Sequence, residues 1–313
     1  MSQIELLSTR LLKNRLLVIY LKIFSIFLNR PQGWHYYLDQ IKIIKTLSLC
    51  KNRTNLKIMD AGAGLGITQF VLSSLGFKIY SLDFSNRKFP KYYHWFFDLE
   101  YIDNNSFNYT HTYQAYIKYH NNILDKFKNG LSIYKLFNWI ILKFLFLFSI
   151  PFFILIKLIK PKFGKIYIIR APFHEIPFNN NYFDYIVSVS AIEHSDKDIL
   201  RNGIEEFRRV LKSKGKLLIT TSLNVDVNEM TFHNNTEGWC FSIEFLENAF
   251  NITNFKKINF SDVIAYQNEF LNNKIWKFTL PFYYKKNNFT FFKDDKDRYY
   301  LPYLPVIIID EKY

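Results

Sequence analysis

Residues Lys57 to Leu72 read KIMDAGAGLGITQFVL. A short apolar strand carrying an acid near its end, Asp60, runs into Gly62, Gly64 and Gly66, and an apolar, helix-like run follows. Three glycines so closely spaced cost backbone entropy, so a folded chain keeps them where backbone must approach something closely. The dinucleotide fingerprint G-x-G-x-x-G places its third glycine one residue later, where this chain has Ile67. A carboxylate beside the loop also repels a diphosphate, whereas it suits a ligand with a cationic amino group.

S-adenosylmethionine carries an ammonium and a sulfonium and no phosphate. Asp60, Gly62, Gly64 and Gly66 therefore read as a loop for that donor, the alternative being a glycine-rich turn that binds nothing. Asp83 closes the next strand in KIYSLDFS. An acid there can accept hydrogen bonds from both ribose hydroxyls of a nucleoside.

A strand–helix alternation starts at this loop. Strands are expected over Lys57–Met59, Phe77–Leu82, Lys165–Ile169, Tyr185–Val189 and Lys216–Thr220. Helices are expected over Ile67–Leu75, Lys197–Lys212 and Phe241–Phe250, the second burying Ile199, Ile204, Phe207 and Leu211. Phe255–Phe260 and Pro305–Ile309 are expected as late strands, the latter fitting an antiparallel partner. The pattern argues for an α/β fold, a mostly parallel sheet with helices on both faces. Between Ser85 and Phe163 the alternation stops for longer than an ordinary connection allows.

Three units are expected: an N-terminal helical segment over 1–50, a nucleotide-type domain over 51–84 and 164–313, and an insertion over 85–163. Within the insertion, Leu131 to Lys160 contains WIILKFLFLFSIPFFILIK. Pro151 lies where a turn would fall, so a hydrophobic helical hairpin is expected, its arms too short to span a bilayer. Such a segment would touch a membrane surface, form a homodimer or cap a greasy pocket. In the N-terminal segment, Leu12, Leu16, Ile19, Ile23 and Phe27 recur at helical spacing, an amphipathic helix that packs on the body or lies on a membrane.

The chain has 313 residues, 49% hydrophobic and 19% aromatic, enough for a substantial core. Its net charge of +14 is spread over scattered Lys and Arg without a basic block. A specific nucleic-acid reader is therefore not expected, while an anionic membrane surface accounts for the charge equally well. Cys50 and Cys240 have no disulfide or metal spacing, which points to the reducing cytoplasm, with peripheral attachment to the inner face of the membrane if the insertion touches lipid, and to no metal.

A third stretch, HEIPFNNNYFDYIVSVSAIEHSD (His174–Asp196), completes a pattern. Together with the glycine loop, with Ile176-Pro177-Phe178, Phe183-Asp184, Ser188 and Glu193-His194, and with Arg209-Val210-Leu211-Lys212-Ser213-Lys214-Gly215, it resembles the class I S-adenosylmethionine-dependent methyltransferases. The likeness is to their small-molecule, ubiquinone-pathway branch; Gly33-Trp34-His35-Tyr36-Tyr37 looks more faintly like methyltransferases of polysaccharide clusters. The resemblance covers residues 55–83 and 165–260 and implies a Rossmann-like seven-stranded sheet of order 3-2-1-4-5-7-6. It implies S-adenosylmethionine as cofactor and a small-molecule or glycan acceptor, lipid-linked if the insertion meets a membrane. Where the family has an acid for the adenine amino group, this chain has Pro172. Adenine recognition then rests on backbone around Ala171 and Phe173, or on Glu175.

Methyl transfer to oxygen gains from a base with a pKa near neutrality, most often His. His194 follows strand four at the carboxyl edge, where ligands bind in open sheets, and is the first candidate. Glu193 is expected to orient the donor or a nearby loop. His233, in MTFHNNTEGWC after strand five, is the second candidate, on a lid or substrate loop. The aromatic run from Phe278 to Tyr303 offers a substrate wall or stacked core. Two other readings stay open: a degenerate methyltransferase fold acting as a membrane-associated partner, and a nicotinamide-dependent reductase.

Overall fold

Parallel strands covered on both sides read as unbroken apolar runs, and Ile58, Met59 and Ala61 are buried as that rule requires. The computed structural model describes residues 3–30, 32–50, 53–102, 133–159, 162–226, 228–233, 238–252, 260–279, 301 and 303–312, with backbone alone for 133–142, His233 and Phe260. The strands are β1 (Gln3–Leu6), β2 (Lys57–Ala61), β3 (Lys78–Asp83), β4 (Leu99–Ile102), β5 (Ile166–Arg170), β6 (Phe183–Val189), β7 (Leu211–Leu223), β8 (Thr231–His233), β9 (Gly238–Cys240) and β10 (Leu304–Glu311). The helices are α1 (Arg15–Phe27), α2 (Tyr36–Ser48), α3 (Thr68–Ser74), α4 (Tyr93–Phe96), α5 (Ile133–Ile159), α6 (Lys197–Val210), α7 (Ile243–Phe250), α8 (Phe260–Asn272) and α9 (Lys274–Thr279).

Eight strands form the main sheet in the order β1-β10-β7-β6-β2-β3-β5-β4, and β8 pairs with β9. Parallel pairing runs from β4 through β5, β3, β2 and β6 to β7. β10 is antiparallel to β7, and β1 to β10. In the family's terms β5, β3, β2, β6, β7 and β10 give the run 3-2-1-4-5-7 that the resemblance implied, but both edges differ. The expected seven strands are eight, because Leu99–Ile102, from the expected insertion, extends the far edge beside β5. The place of strand 6 goes to Gln3–Leu6, so the N-terminal segment supplies a strand as well as helices. Of the strand expected over Phe255–Phe260, residues 255–259 lie outside the described residues, and Phe260 opens α8.

Two expectations about helices need correction. The apolar segment over 131–160 is no hairpin within its described part: Ile133–Ile159 is one helix with Pro151 inside it. A proline removes a single backbone bond, and the docked strip outweighs it. Phe146, Ile150, Phe153 and Ile156, at helical spacing, pack on the core. Phe153 is fully buried, its ring 3.8 Å from Phe27, 4.6 Å from Phe24 and 5.6 Å from Phe96, centre to centre. In α1 the buried residues are Val18, Leu21, Phe24, Ser25 and Phe27, whereas Leu16 and Ile19 are exposed. Leu12 and Phe27 of the expected stripe are buried and Ile23 packs on the core, so spacing misplaced only Leu16 and Ile19. On α6 the buried face is Leu200, Gly203, Ile204, Phe207 and Val210, close to expectation.

Of the aromatic run Phe278–Tyr303, residues 280–300 lie outside the described residues. Tyr303 packs on Trp34 and His35, with ring centres 5.2 and 5.4 Å away. Trp276 turns its edge to Trp34 and donates its indole N–H to the Trp34 carbonyl at 2.9 Å.

The Phe153→Ala variant should lose about 3–5 kcal/mol in urea unfolding, as buried aromatics do when a cavity is left. Phe148→Ala, on the exposed side of the same helix, should change stability by less than about 0.5 kcal/mol.

Candidate functional site

The glycine loop hangs from the end of β3. Gly62 and Ala63 both donate their N–H to the Leu82 carbonyl, at 2.9 and 3.1 Å, and Gly64 donates to Asp83 Oδ2 at 2.8 Å. Gly62 and Gly64 have φ of +69° and +47°, a region that side chains make costly. A Cβ on Gly62 would also lie 2.5 Å from that of Ala191, so the loop and the end of β6 touch here. Ser188 Oγ donates to the Ala61 carbonyl at 2.9 Å and reinforces the contact. Beneath the loop, Gln69 gives its amide to the carbonyls of Gly66 and Gly64, at 3.0 and 3.4 Å, and accepts from Ser81 Oγ at 2.6 Å.

Asp60 is buried, and its Oδ2 has no hydrogen-bond partner among the described residues. Burial pushes its pKa from 3.8 up to about 7; the Arg87 guanidinium opposes that rise and the Asp83 charge adds to it. Arg87 is itself buried. It donates to Ser81 Oγ and the Ser81 carbonyl, both at 2.6 Å, to the Ile169 carbonyl at 3.1 Å and to the Gly64 carbonyl at 3.2 Å. Burial lowers its pKa, and Asp83 and then Asp60 hold it up. Asp83 Oδ1 accepts from Ser85 N and Ser85 Oγ, at 2.8 and 2.5 Å. Its Oδ2 takes only the Gly64 N–H among the described residues, leaving acceptor capacity for a further donor.

At the carboxyl edge of β5, Ala171 is buried and donates its N–H to the Asp83 carbonyl at 3.0 Å. The Phe173 ring lies against α6 at Gly203, where a Cβ would come within 2.3 Å, and 5.7 Å from the Phe207 ring. Glu175 is exposed on the turn that its N–H closes to the Pro172 carbonyl. After β6 the pair Glu193-His194 splits. Glu193 turns inward, buried, and accepts from Thr221 Oγ1 at 3.0 Å. Burial raises its pKa, while His194 and, more weakly, His35 lower it. His194 is exposed and its ring lies under Gly238 of β9, with Cε1 3.3 Å from where a Cβ would stand. On the same hairpin Cys240 is pushed up to about 12 by burial, with the Glu193 charge adding to it. His233 ends β8, paired with Gly238, and its side chain lies outside what is described.

Residues 155–219 match the family model described as a methyltransferase domain. That span holds β5, β6, α6 and the start of β7, and the glycine loop stands beside it in the sheet. Over that segment the chain is similar to a methyltransferase domain, set here in a Rossmann-like, mostly parallel sheet. No curated protein sequence matches it. Among solved structures, the YcgJ protein of Bacillus subtilis shares 14% identity over 87% of this chain and 96% of its own, with a TM-score of 0.40. The 1,6-didemethyltoxoflavin-N1-methyltransferase of Burkholderia thailandensis, with bound 1,6-didemethyltoxoflavin and S-adenosylhomocysteine, shares 8% over 96% and 89%, with a TM-score of 0.45. Phosphoethanolamine N-methyltransferase 2 of Haemonchus contortus, in complex with phosphomonomethylethanolamine and S-adenosylhomocysteine, shares 14% over 96% and 59%, with a TM-score of 0.44.

S-adenosylmethionine is the cofactor of such a domain, and this site fits it on its own terms. The buried, unpartnered Asp60 oxygen offers an acceptor for an ammonium, and Gly62 and Gly64, both with positive φ, leave no side chain at their positions in the loop. Two buried groups near the site escaped the sequence. Arg87, four residues past Asp83, carries no motif that marks it in the sequence. His35 shares Asp39 at 2.8 Å and the Tyr303 hydroxyl at 3.1 Å, and both His35 and Asp39 are buried. The i,i+4 spacing of His35 and Asp39 on α2 was the available signal, since such pairs meet on a helix.

Replacing Gly62 by Ala should cost about 1–3 kcal/mol from the positive φ alone, before its clash with Ala191. Asp60 sets a pH dependence of opposite sign for stability and for binding. Its raised pKa means that its contribution to the stability of the ligand-free protein is present below pH 3.8 and lost as the pH rises through about 7. A cationic ligand needs the ionised form, so S-adenosylhomocysteine affinity should rise over the same interval and level off above it. In Asp60→Asn, thermal melts and calorimetric titrations should both lose that pH dependence.

Proposed function

We propose that this domain transfers the methyl group of S-adenosylmethionine to an oxygen of a small molecule or of a glycan or lipid-linked intermediate. The observation that carries the donor half is Asp60, a buried carboxylate with a vacant oxygen beside a loop built from positive-φ glycines. In this reading Asp60 accepts from the donor's ammonium and Asp83 Oδ2 from a ribose hydroxyl. Phe84, exposed next to Asp83, offers a ring for the purine to stack on. The purine edge meets backbone around Ala171 and Phe173 in place of the family's acid.

The donor supplies an electrophilic methyl on a sulfonium, a very good leaving group. What remains for the protein is alignment and removal of the acceptor's proton. His194 is the base, because it stands exposed at the carboxyl edge under the β8–β9 hairpin. Glu193, held by Thr221, positions that turn from within. Two thiols, Cys50 and Cys240, suit a cytoplasmic setting.

Calorimetry should show binding of S-adenosylmethionine and S-adenosylhomocysteine and none of nicotinamide dinucleotides. Asp60→Asn should weaken donor binding about tenfold, the scale of a charge-assisted hydrogen bond. His194→Gln should leave it within about twofold while lowering transfer of labelled methyl into a small-molecule extract about 10²-fold or more. Donor binding with no transfer into any fraction would favour the scaffold reading instead, for which Pro172 in place of an acid already speaks.

A further inference from the structure

Helix α5 carries far more apolar surface than its packing uses. Phe144, Leu147, Phe148, Phe152, Leu155 and Leu158 are each more than half exposed. The Phe144 and Phe148 rings meet with centres 4.7 Å apart. Helix α4 packs against α5 through Phe96 and Phe153, and its Trp95 is 78% exposed. Soluble surfaces rarely keep so large a contiguous apolar area without a use for it.

Charge identifies the occupant. From Lys126 to His174 the chain has nine Lys and Arg residues and no Asp or Glu, within a total of +14. Lys162, just past α5, and Lys91, four residues ahead of Trp95, are exposed. Apolar residues with a basic surround and an exposed Trp suit the headgroup region of an anionic bilayer. A second copy of this chain would bring the same positive charge against itself.

The helix lies on the bilayer rather than through it. β4 and β5, the strands flanking this segment, sit side by side in one sheet. A single crossing by α5 would force the intervening residues 103–132, with Asp103, His111, Lys118 and Asp125, back through hydrocarbon. Among the described residues no helix is long and apolar enough to cross a membrane. At 27 residues α5 is about 40 Å long, a broad contact when laid flat.

We propose that the exposed face of α5, with Trp95, docks on the surface of an anionic lipid bilayer. The proposal is independent of methyl transfer. In flotation assays the full chain should rise with vesicles of phosphatidylcholine containing about one third phosphatidylglycerol, much less with phosphatidylcholine alone, and less at high salt. The double variant Phe148→Glu, Leu155→Glu, both at exposed positions, should reduce the bound fraction at least about fivefold while keeping the wild-type thermal melt. Wild type left at the bottom with anionic vesicles would overturn the proposal. So would a concentration-dependent dimer in analytical ultracentrifugation that the same double variant dissolves while vesicle binding stays absent.

Discussion

Arg87 lies under the glycine loop and reaches four acceptors at once: the Gly64 carbonyl, the Ser81 hydroxyl and carbonyl, and the Ile169 carbonyl. Those groups belong to the loop after β2, to β3 and to β5, so one buried cation ties three neighbouring parallel strands at their carboxyl ends. It also faces two acids, Asp83 and Asp60. Without it the pair would sit as like charges in a desolvated place, where an uncompensated charge costs several kcal/mol. The site depends on this balance. Arg87 keeps Asp60 within reach of ionisation near neutrality, while burial keeps the carboxyl from being a permanent anion.

The other half of the site is organised from the opposite end of the chain. His35, at the start of α2, is buried with Asp39 and lowers the pKa of Glu193, the acid that turns inward from the β6 edge. Glu193 in turn raises that of Cys240 on the β8–β9 hairpin. Groups from near residue 35, residue 193 and residue 240 thus share one electrostatic neighbourhood, with Thr221 of β7 donating into it. A buried polar cluster of this kind is costly unless its members satisfy one another, and His35 is satisfied by Asp39 and the Tyr303 hydroxyl.

Much of the fold was legible because its signals are local. Alternation of apolar runs with amphipathic ones placed β2, β3, β5, β6 and β7 to within a few residues, and α6 with them. The loop geometry followed from glycine spacing, since positive φ is a property of single residues. At Lys214 a residue other than glycine takes φ of +63°, so positive φ is not reserved to the glycines. The misreadings were of another sort. The stripe buried on α1, the edges of the sheet and the single helix over Ile133–Ile159 all depended on what came to lie against them.

The sequence by itself determined that a carboxylate stands beside a glycine-rich loop, the arrangement proposed for a donor without phosphate. Asp60, Gly62, Gly64 and Asp83 lie within one strand–loop–helix–strand unit, whose chemistry is set by residue types at fixed spacing. Only the tertiary structure decided how that carboxylate is poised, through Arg87, and which way Glu193 and His194 point, because such pairings join residues whose separation along the chain carries no pattern. It also decided that α5 spends one strip on the core and presents the rest outward. Apolar composition says that surface will be buried somewhere, and only packing divides it between the protein's own core and what lies outside it.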